Sequence, residues 1–337
     1  MQADFHYSCT AVLARAAGFS PSDALTIAYA CQYVDDSTES WPIMVGALPF
    51  DPVRTAHVGL EAFDWSVQKR VYIPFHFIPP DPFKVDDTTF AFTTSPDTPF
   101  IASVLAEAAS EKRPVLRLCR IGVALHTFAD TWSHRDFSGI KENANDVEAI
   151  EVREKGRWKC LVWENAMLDF APKIGHAQAS TFPDRTYLTW KYRGPDNKPR
   201  PPRNNTDDFV IAARRMYEIL VPLANTPPAP LLPFDKLEPD VRRLFSSTVE
   251  DVDARCAAWA KAFGNLFKGH EFAYSKYDWR LDALEPAKKE DVYWEGRTFD
   301  DSNRPAFKMR RGFYKSPWVQ FHWAALLQRH FVLENMP

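Results

Sequence analysis

The sequence predicts an all-α protein: a single, mostly helical domain carrying long proline-rich loops. Three observations predict it. Apolar residues recur at three- and four-residue steps over the clearest segments, and helix-start signals precede several of them. The third is punctuation: 27 prolines stand against only 12 glycines in 337 residues, which makes connections long and stiff.

The first helix runs from about residue 7 to 17 and stops at Gly18, a residue suited to a left-handed C-terminal position. The second opens with Ser20 as N-cap, Pro21 in the first turn and Asp23 behind it, and continues to Val34 or so. A third covers roughly residues 52 to 65; residues 70–77 read as extended and 79–99 as a proline-rich flap. Helix resumes at about residues 99–109 and again at 114–134, where Val115, Leu118, Cys119, Gly122, Leu125 and Ala129 form one stripe and mark a central helix. Residues 141–154 are charge-rich and read as a solvated helix, while 194–206 read as an exposed loop ending in an N-cap at Thr206. Further helices fall at about residues 207–221, 240–267 and 317–333, the last opened by Ser316 and Pro317. On this reading residues 1–337 form one domain, with chemistry-bearing residues in 4–184 and a C-terminal helical portion, 206–337, of no assigned role.

Composition excludes several functions. With 41 Lys+Arg against 44 Asp+Glu the net charge is −3, which disfavours a general nucleic-acid binder, although Lys308 to Lys315 interleaves cations with aromatics. Hydrophobic residues make up 45%, enough for a sizeable core. So few glycines argue against a backbone phosphate cradle. The longest apolar stretch, Val115 to Ala129, is broken by Arg117 and Arg120, so no membrane span is expected. The first residues, Met1 to His6, show no basic and apolar leader pattern. Cys9, Cys31, Cys119, Cys160 and Cys256 form no Cys-x-x-Cys pair and read as thiols of a reducing, cytoplasmic compartment.

The central helix places His126, Asp130 and His134 at i, i+4 and i+8, so that the outer two lie within about 80° of each other and all three can face one cavity. Other ligand types are dispersed: Asp4 and His6 before the first helix, Asp35 and Asp36 at the end of the second, His76 in Pro74-Phe-His-Phe-Ile-Pro-Pro-Asp81, and His176 and Asp184 further on. Singly, each is an ordinary capping or core residue. Together they are a donor set for a borderline divalent metal, zinc or alternatively manganese. Such ions lower the pKa of a water toward neutrality and deliver hydroxide to phosphorus, which calls for no nucleophilic side chain. His57, on the expected third helix, is a candidate to support a ligand. His322 and His330 read as packing or surface residues. There is no His-Glu-x-x-His, Gly-x-x-x-x-Gly-Lys or Gly-x-Ser-x-Gly.

The order Asp35 or Asp36, His76 to Asp81 as His-Phe-x-x-Pro-Asp, then His126, Asp130 and His134, then a later His with an acid, resembles the zinc-dependent phospholipase C and single-strand-specific nuclease superfamily. It also resembles a set of bacterial proteins that open with Asp-Phe-His-Tyr. The resemblance covers residues 4 to 184. It implies an all-α fold with two or three zinc ions: Asp35 (or Asp36), His76, His126 and Asp130 on one, His134, His176 and Asp184 on a second, and His6 with bridging Asp130 on a third. The family's N-terminal Trp, whose amine and carbonyl hold the third ion, has no counterpart, and Asp4 is the nearest substitute. The implied function is a metal-dependent phosphodiester hydrolase in which Asp130 and Asp35 hold the catalytic ions, acting on phospholipid, nucleotide or single-stranded nucleic acid. The alternative is a helical binding or scaffold protein with a closed structural metal. Sequence does not fix the oligomeric state.

Overall fold

Helix-start and helix-stop chemistry sets the first elements. In the computed structural model, which describes residues 1–39, 42–56, 60–80, 92–161, 171–224, 230–293 and 306–336, the chain opens in a π-helical turn, Asp4–Cys9, that runs into α1, Thr10–Ala17. Gly18 ends α1 at φ 117°, a conformation that a Cβ would oppose. Ser20 caps α2, Pro21–Asp36, by accepting the backbone N–H of Asp23. The next expectation fails: within residues 52–65 the described helical residues are the 3₁₀ turn Leu60–Phe63 and the start of a short turn, Trp65–Val67. Residues 70–77, expected to be extended, are wound as turns at Gln68–Tyr72 and Ile73–Phe75. Val71, Ile73 and Phe75 are β-formers by propensity, but burial of all three, Ile73 and Phe75 in the main core, overrides that preference.

Two further helices follow, α3, Pro99–Ala109, and α4, Pro114–Ser133. Asn204, not Thr206, caps α5, Asn205–Leu220, by accepting the N–H of Asp207. The helix expected over residues 240–267 is two, α6, Phe234–Phe245, and α7, Val252–Phe263, the second capped by Asp251. Asp278–Ala283 is α8, and α9, Pro317–Asn335, starts at Ser316 as expected. α4 is central, with α2 and α9 packed on it and α3 and α5 beside it. Gly122 makes the α2 contact close: a Cβ there would lie 2.4 Å from the Ile27 carbonyl oxygen and 2.7 Å from the Ala30 Cβ. That approach sets the end of α2, with Cys31 and Asp35, against the end of α4.

The all-α expectation is overturned, because the described residues include two four-stranded sheets and the fold is mixed α/β. The strands are β1, Ile43–Val45; β2, Leu48–Phe50; β3, Ala149–Glu154; β4, Arg157–Cys160; β5, Thr189–Arg193; β6, Arg203–Asn204; β7, Leu284–Pro286; and β8, Ala306–Met309. Their orders are β2-β1-β8-β7 and β4-β3-β5-β6. β1 runs parallel to β8, with Met44 opposite Ala306, so the first sheet ties residues far apart in sequence. The helix expected over residues 141–154 is instead a 3₁₀ turn at Asn143–Asn145 followed by β3, which buries Ile150 and Val152 and turns Arg153 outward. Lys155 and Gly156, at φ 47° and 79°, make the two-residue turn into β4. The second sheet covers its own small core of Phe77, Phe137, Ile150, Val152, Trp190 and Tyr192, whereas the main core runs from Met1 to Val332. Among the described residues no helix is long and apolar enough to cross a membrane.

Candidate metal centre

A carboxylate with no access to water demands opposite charge or hydrogen-bond donors. Asp130, fully buried on α4, is surrounded accordingly. Its Oδ2 lies 3.1 Å from His126 Nε2 and 3.1 Å from His76 Nδ1, and its Oδ1 lies 3.2 Å from His6 Nε2. The α-amino group of Met1 donates to the same Oδ1 at 2.6 Å and sits 3.3 Å from Asp184 Oδ1. His134, just past the end of α4, reaches Asp184 with Nε2 at 3.2 Å, and His176 Nε2 lies 3.5 Å from the other Asp184 oxygen. Asp35, from the last turn of α2, completes the ring: its Oδ1 is 3.6 Å from His126 Nε2 and 3.9 Å from His76 Nδ1.

The outer side of each ring decides what the inner side can do. His126 Nδ1 is 2.8 Å from the Cys31 carbonyl, His134 Nδ1 is 2.9 Å from the His76 carbonyl, His76 Nε2 is 2.8 Å from that of Thr55, and His176 Nδ1 is 2.7 Å from that of Ser180. A carbonyl only accepts, so each of these nitrogens carries the proton, and in its neutral form the ring turns a bare lone pair inward. In that form four lone pairs face the oxygens of Asp35, Asp130 and Asp184, and those of His76 Nδ1 and His126 Nε2 also face each other at 3.2 Å. Lone pair against carboxylate is repulsive unless a proton or a metal ion lies between them, and carbonyl-oriented imidazoles are the arrangement that metal sites use. His6, stacked on His126 with ring centroids 3.9 Å apart, adds a buried Nε2 that has no hydrogen-bond partner.

Electrostatics divide the rings. Burial drives the pKa of His6 well down and that of His176 to about 4, so neither ring readily supplies the missing proton. Burial also raises Asp35, against the pull of His126 and His76. Burial would likewise raise Asp130 and Asp184, but the surrounding imidazoles and the Met1 ammonium outweigh it and hold both carboxyls low. The Met1 ammonium, opposed by its own burial, is lifted to about 11 by Asp130, Asp184 and Asp35. His76 is also raised, because hydrogen bonding and charge from Asp130 outweigh burial.

Among the described residues three groups are close enough to hold an ion: Asp35, His76 and His126; His134, His176 and Asp184; and His6, Cys31 and His126. Asp130 stands among them. A cavity of about 210 Å³ lined by Asp35, His76, Asp130, His134, His176 and Asp184 opens from the centre. Of the two acids ending α2, Asp35 faces the cluster, while Asp36 is bound by Gln32 at 3.0 Å and by the Tyr274 hydroxyl at 2.6 Å. Asp4 stands apart, 2.7 Å from Arg255 Nε, in a fully buried ion pair. The place given to Asp4 beside Asp130 is taken by the Met1 amine. His57 lies outside the described residues.

Sequence reasoning missed Cys31, whose Sγ is 3.7 Å from His6 Nδ1 and whose carbonyl orients His126. Its position four residues before Asp35 puts both on one face of α2 and was the available signal. Also missed was Arg203: fully buried, it donates to the carbonyls of Trp132, Ser133 and Arg135 at 2.9, 2.7 and 3.4 Å, and so caps the C-terminal end of α4 where His134 emerges.

Fold and site together define a mixed α/β protein built around a buried histidine–carboxylate centre. The chain belongs to DUF6765, a family of unknown function, which it matches over residues 1–336. No curated protein and no solved structure matches it.

Proposed function

We propose that the protein is a metal-dependent phosphodiester hydrolase with two or three divalent ions, zinc or manganese, at the Asp130 centre. The observation that carries the reading is the inward lone pairs of His76, His126, His134 and His176, each fixed by an outward carbonyl and aimed at carboxylates. Asp35, His76 and His126 would hold one ion and His134, His176 and Asp184 another, with Asp130 between them and His6 available to a third. Ions so held would supply a water of lowered pKa and neutralise charge on a bound phosphodiester. The chain's own part is to orient those imidazoles through their carbonyl bonds and to leave the cavity open beside them. That opening supports a catalytic over a closed structural metal, since catalytic sites keep a position for water. The substrate class stays broad: phospholipid, nucleotide or single-stranded nucleic acid. The five cysteines are free, in keeping with work in a reducing compartment such as the cytoplasm. The test is hydrolysis of bis-aryl phosphate, phosphatidylcholine, single-stranded DNA and RNA and cyclic nucleotides by zinc- and manganese-loaded protein. Turnover of one of these that chelator abolishes and metal restores supports the reading; no turnover with full metal content moves the assignment to the scaffold alternative.

A further inference from the structure

On α9, one arginine that is not among the residues of the metal centre is placed where arginine is costly. Arg329 is half-buried over the Phe75 ring, 5.8 Å from its centroid, and its Nη2 donates to the Arg54 carbonyl at 2.7 Å. Its Nε is buried with no acceptor. Among the described residues no carboxylate pairs with Arg329 or with neighbouring Arg70, and the acid nearest in chain to Arg54, Glu61, is already paired with Arg54 at 2.5 Å. Burial, with Arg70 and Arg54 adding like charge, pulls the Arg329 guanidinium down to about 10. A desolvated cation beside other cations costs stability unless an anion joins it.

The same residues line a pocket of about 260 Å³, made by Arg70, Leu326, Arg329, His330, Leu333 and Glu334. Glu334 is its one acid and lies toward water, 74% exposed and 3.9 Å from His330. Two guanidiniums with no carboxylate partner among the described residues match the charge and the several acceptor oxygens of a phosphate dianion better than a single carboxylate. Leu326 and Leu333 give the pocket an apolar wall. We propose that this pocket binds a small phosphate monoester, its phosphate on Arg70 and Arg329 and its organic part on Leu326 and Leu333. This does not depend on the metal-centre reading.

The test is calorimetric titration of the full chain with phenyl phosphate, with chelator present so that metal-held phosphate cannot contribute. Benzoate is the comparison ligand, and wild type is set beside Arg70→Gln and Arg329→Gln. Arg70 is exposed and makes no structural bond among the described residues, so its variant is expected to fold even if Arg329→Gln does not. The expected result is binding about tenfold tighter than benzoate, weakened about fivefold or more by Arg70→Gln and further by Arg329→Gln. No binding to wild type, benzoate as tight as phenyl phosphate, or undiminished binding to Arg70→Gln would overturn the proposal.

Discussion

His126 donates its Nδ1 proton to the carbonyl of Cys31 at 2.8 Å, and this one bond turns its Nε2 lone pair toward Asp130. The α2 backbone thus orients a side chain of α4. Asp130 is the charge on which His6, His76, His126 and the Met1 amine converge, so Asp130→Asn should cost the centre at least one ion. Metal affinity should drop by about 100-fold, read by competition with a fluorescent chelator. Wild-type affinity in that variant would remove Asp130 from the site.

Gly122→Ala reverses the usual sign for a helix interior, where alanine gains about 1 kcal/mol over glycine. Here the new methyl meets the Ile27 carbonyl oxygen at 2.4 Å, so α2 must move away. Denaturant titration should show a loss of about 2 kcal/mol or more, and metal content should drop as Cys31 and Asp35 leave His126. Unchanged stability would mean that the two helices are not in such close contact.

Asp4→Asn separates a structural acid from a ligand. Breaking its buried pair with Arg255 should lower stability by about 3 kcal/mol while the metal stoichiometry of the folded protein stays at the wild-type value. A lost ion at unchanged stability would restore Asp4 to the ligand set.

Arg203→Met should remove the cap on the α4 carbonyls and loosen His134, releasing the ion held with His176 and Asp184 before the one on Asp35, His76 and His126. Stepwise metal release against chelator, fitted for two sites, reads this directly. Arg203→Lys should recover part of the tighter step, since one ammonium can still reach a carbonyl.

His322 gives the fold a pH dependence unrelated to metal. It is fully buried among Tyr33, Phe50, Trp318 and Phe321, accepts the Val53 N–H at 3.0 Å, and is driven by burial to about 3. The unfolded chain takes up this proton near pH 6.5 and the folded one refuses it, so stability drops as pH falls from about 6.5 toward 3. Between pH 7 and 5 the loss from this residue should be about 2 kcal/mol, and His322→Gln should flatten the slope by that amount.

Residues close in sequence carried the legible part of fold and site. Ser20, Pro21 and Gly18 bracket helices by local chemistry, and the spacing of His126, Asp130 and His134 puts them on one helical face whatever surrounds them. β1 could not be seen this way: it and its hairpin partner β2 are each three residues long, with no period to read, and its other partner β8 lies more than 250 residues on. β3 did have one, Ile150 and Val152 alternating with Glu151 and Arg153 ahead of Lys155-Gly156, but its charged positions read equally as a solvated helix. Asp35 and Asp36 differ by a rotation of about 100° on α2. Only the packing of Gly122 on Ile27 shows which of them faces His126.

Elemental analysis of the protein, purified without chelator and then reconstituted with zinc or manganese, tests the central claim most directly. The inward-facing nitrogens of His76, His126, His134 and His176 predict about two to three tightly held divalent ions per chain, released by acid as protons compete for those nitrogens. A folded protein that retains no stoichiometric metal after reconstitution would contradict the account.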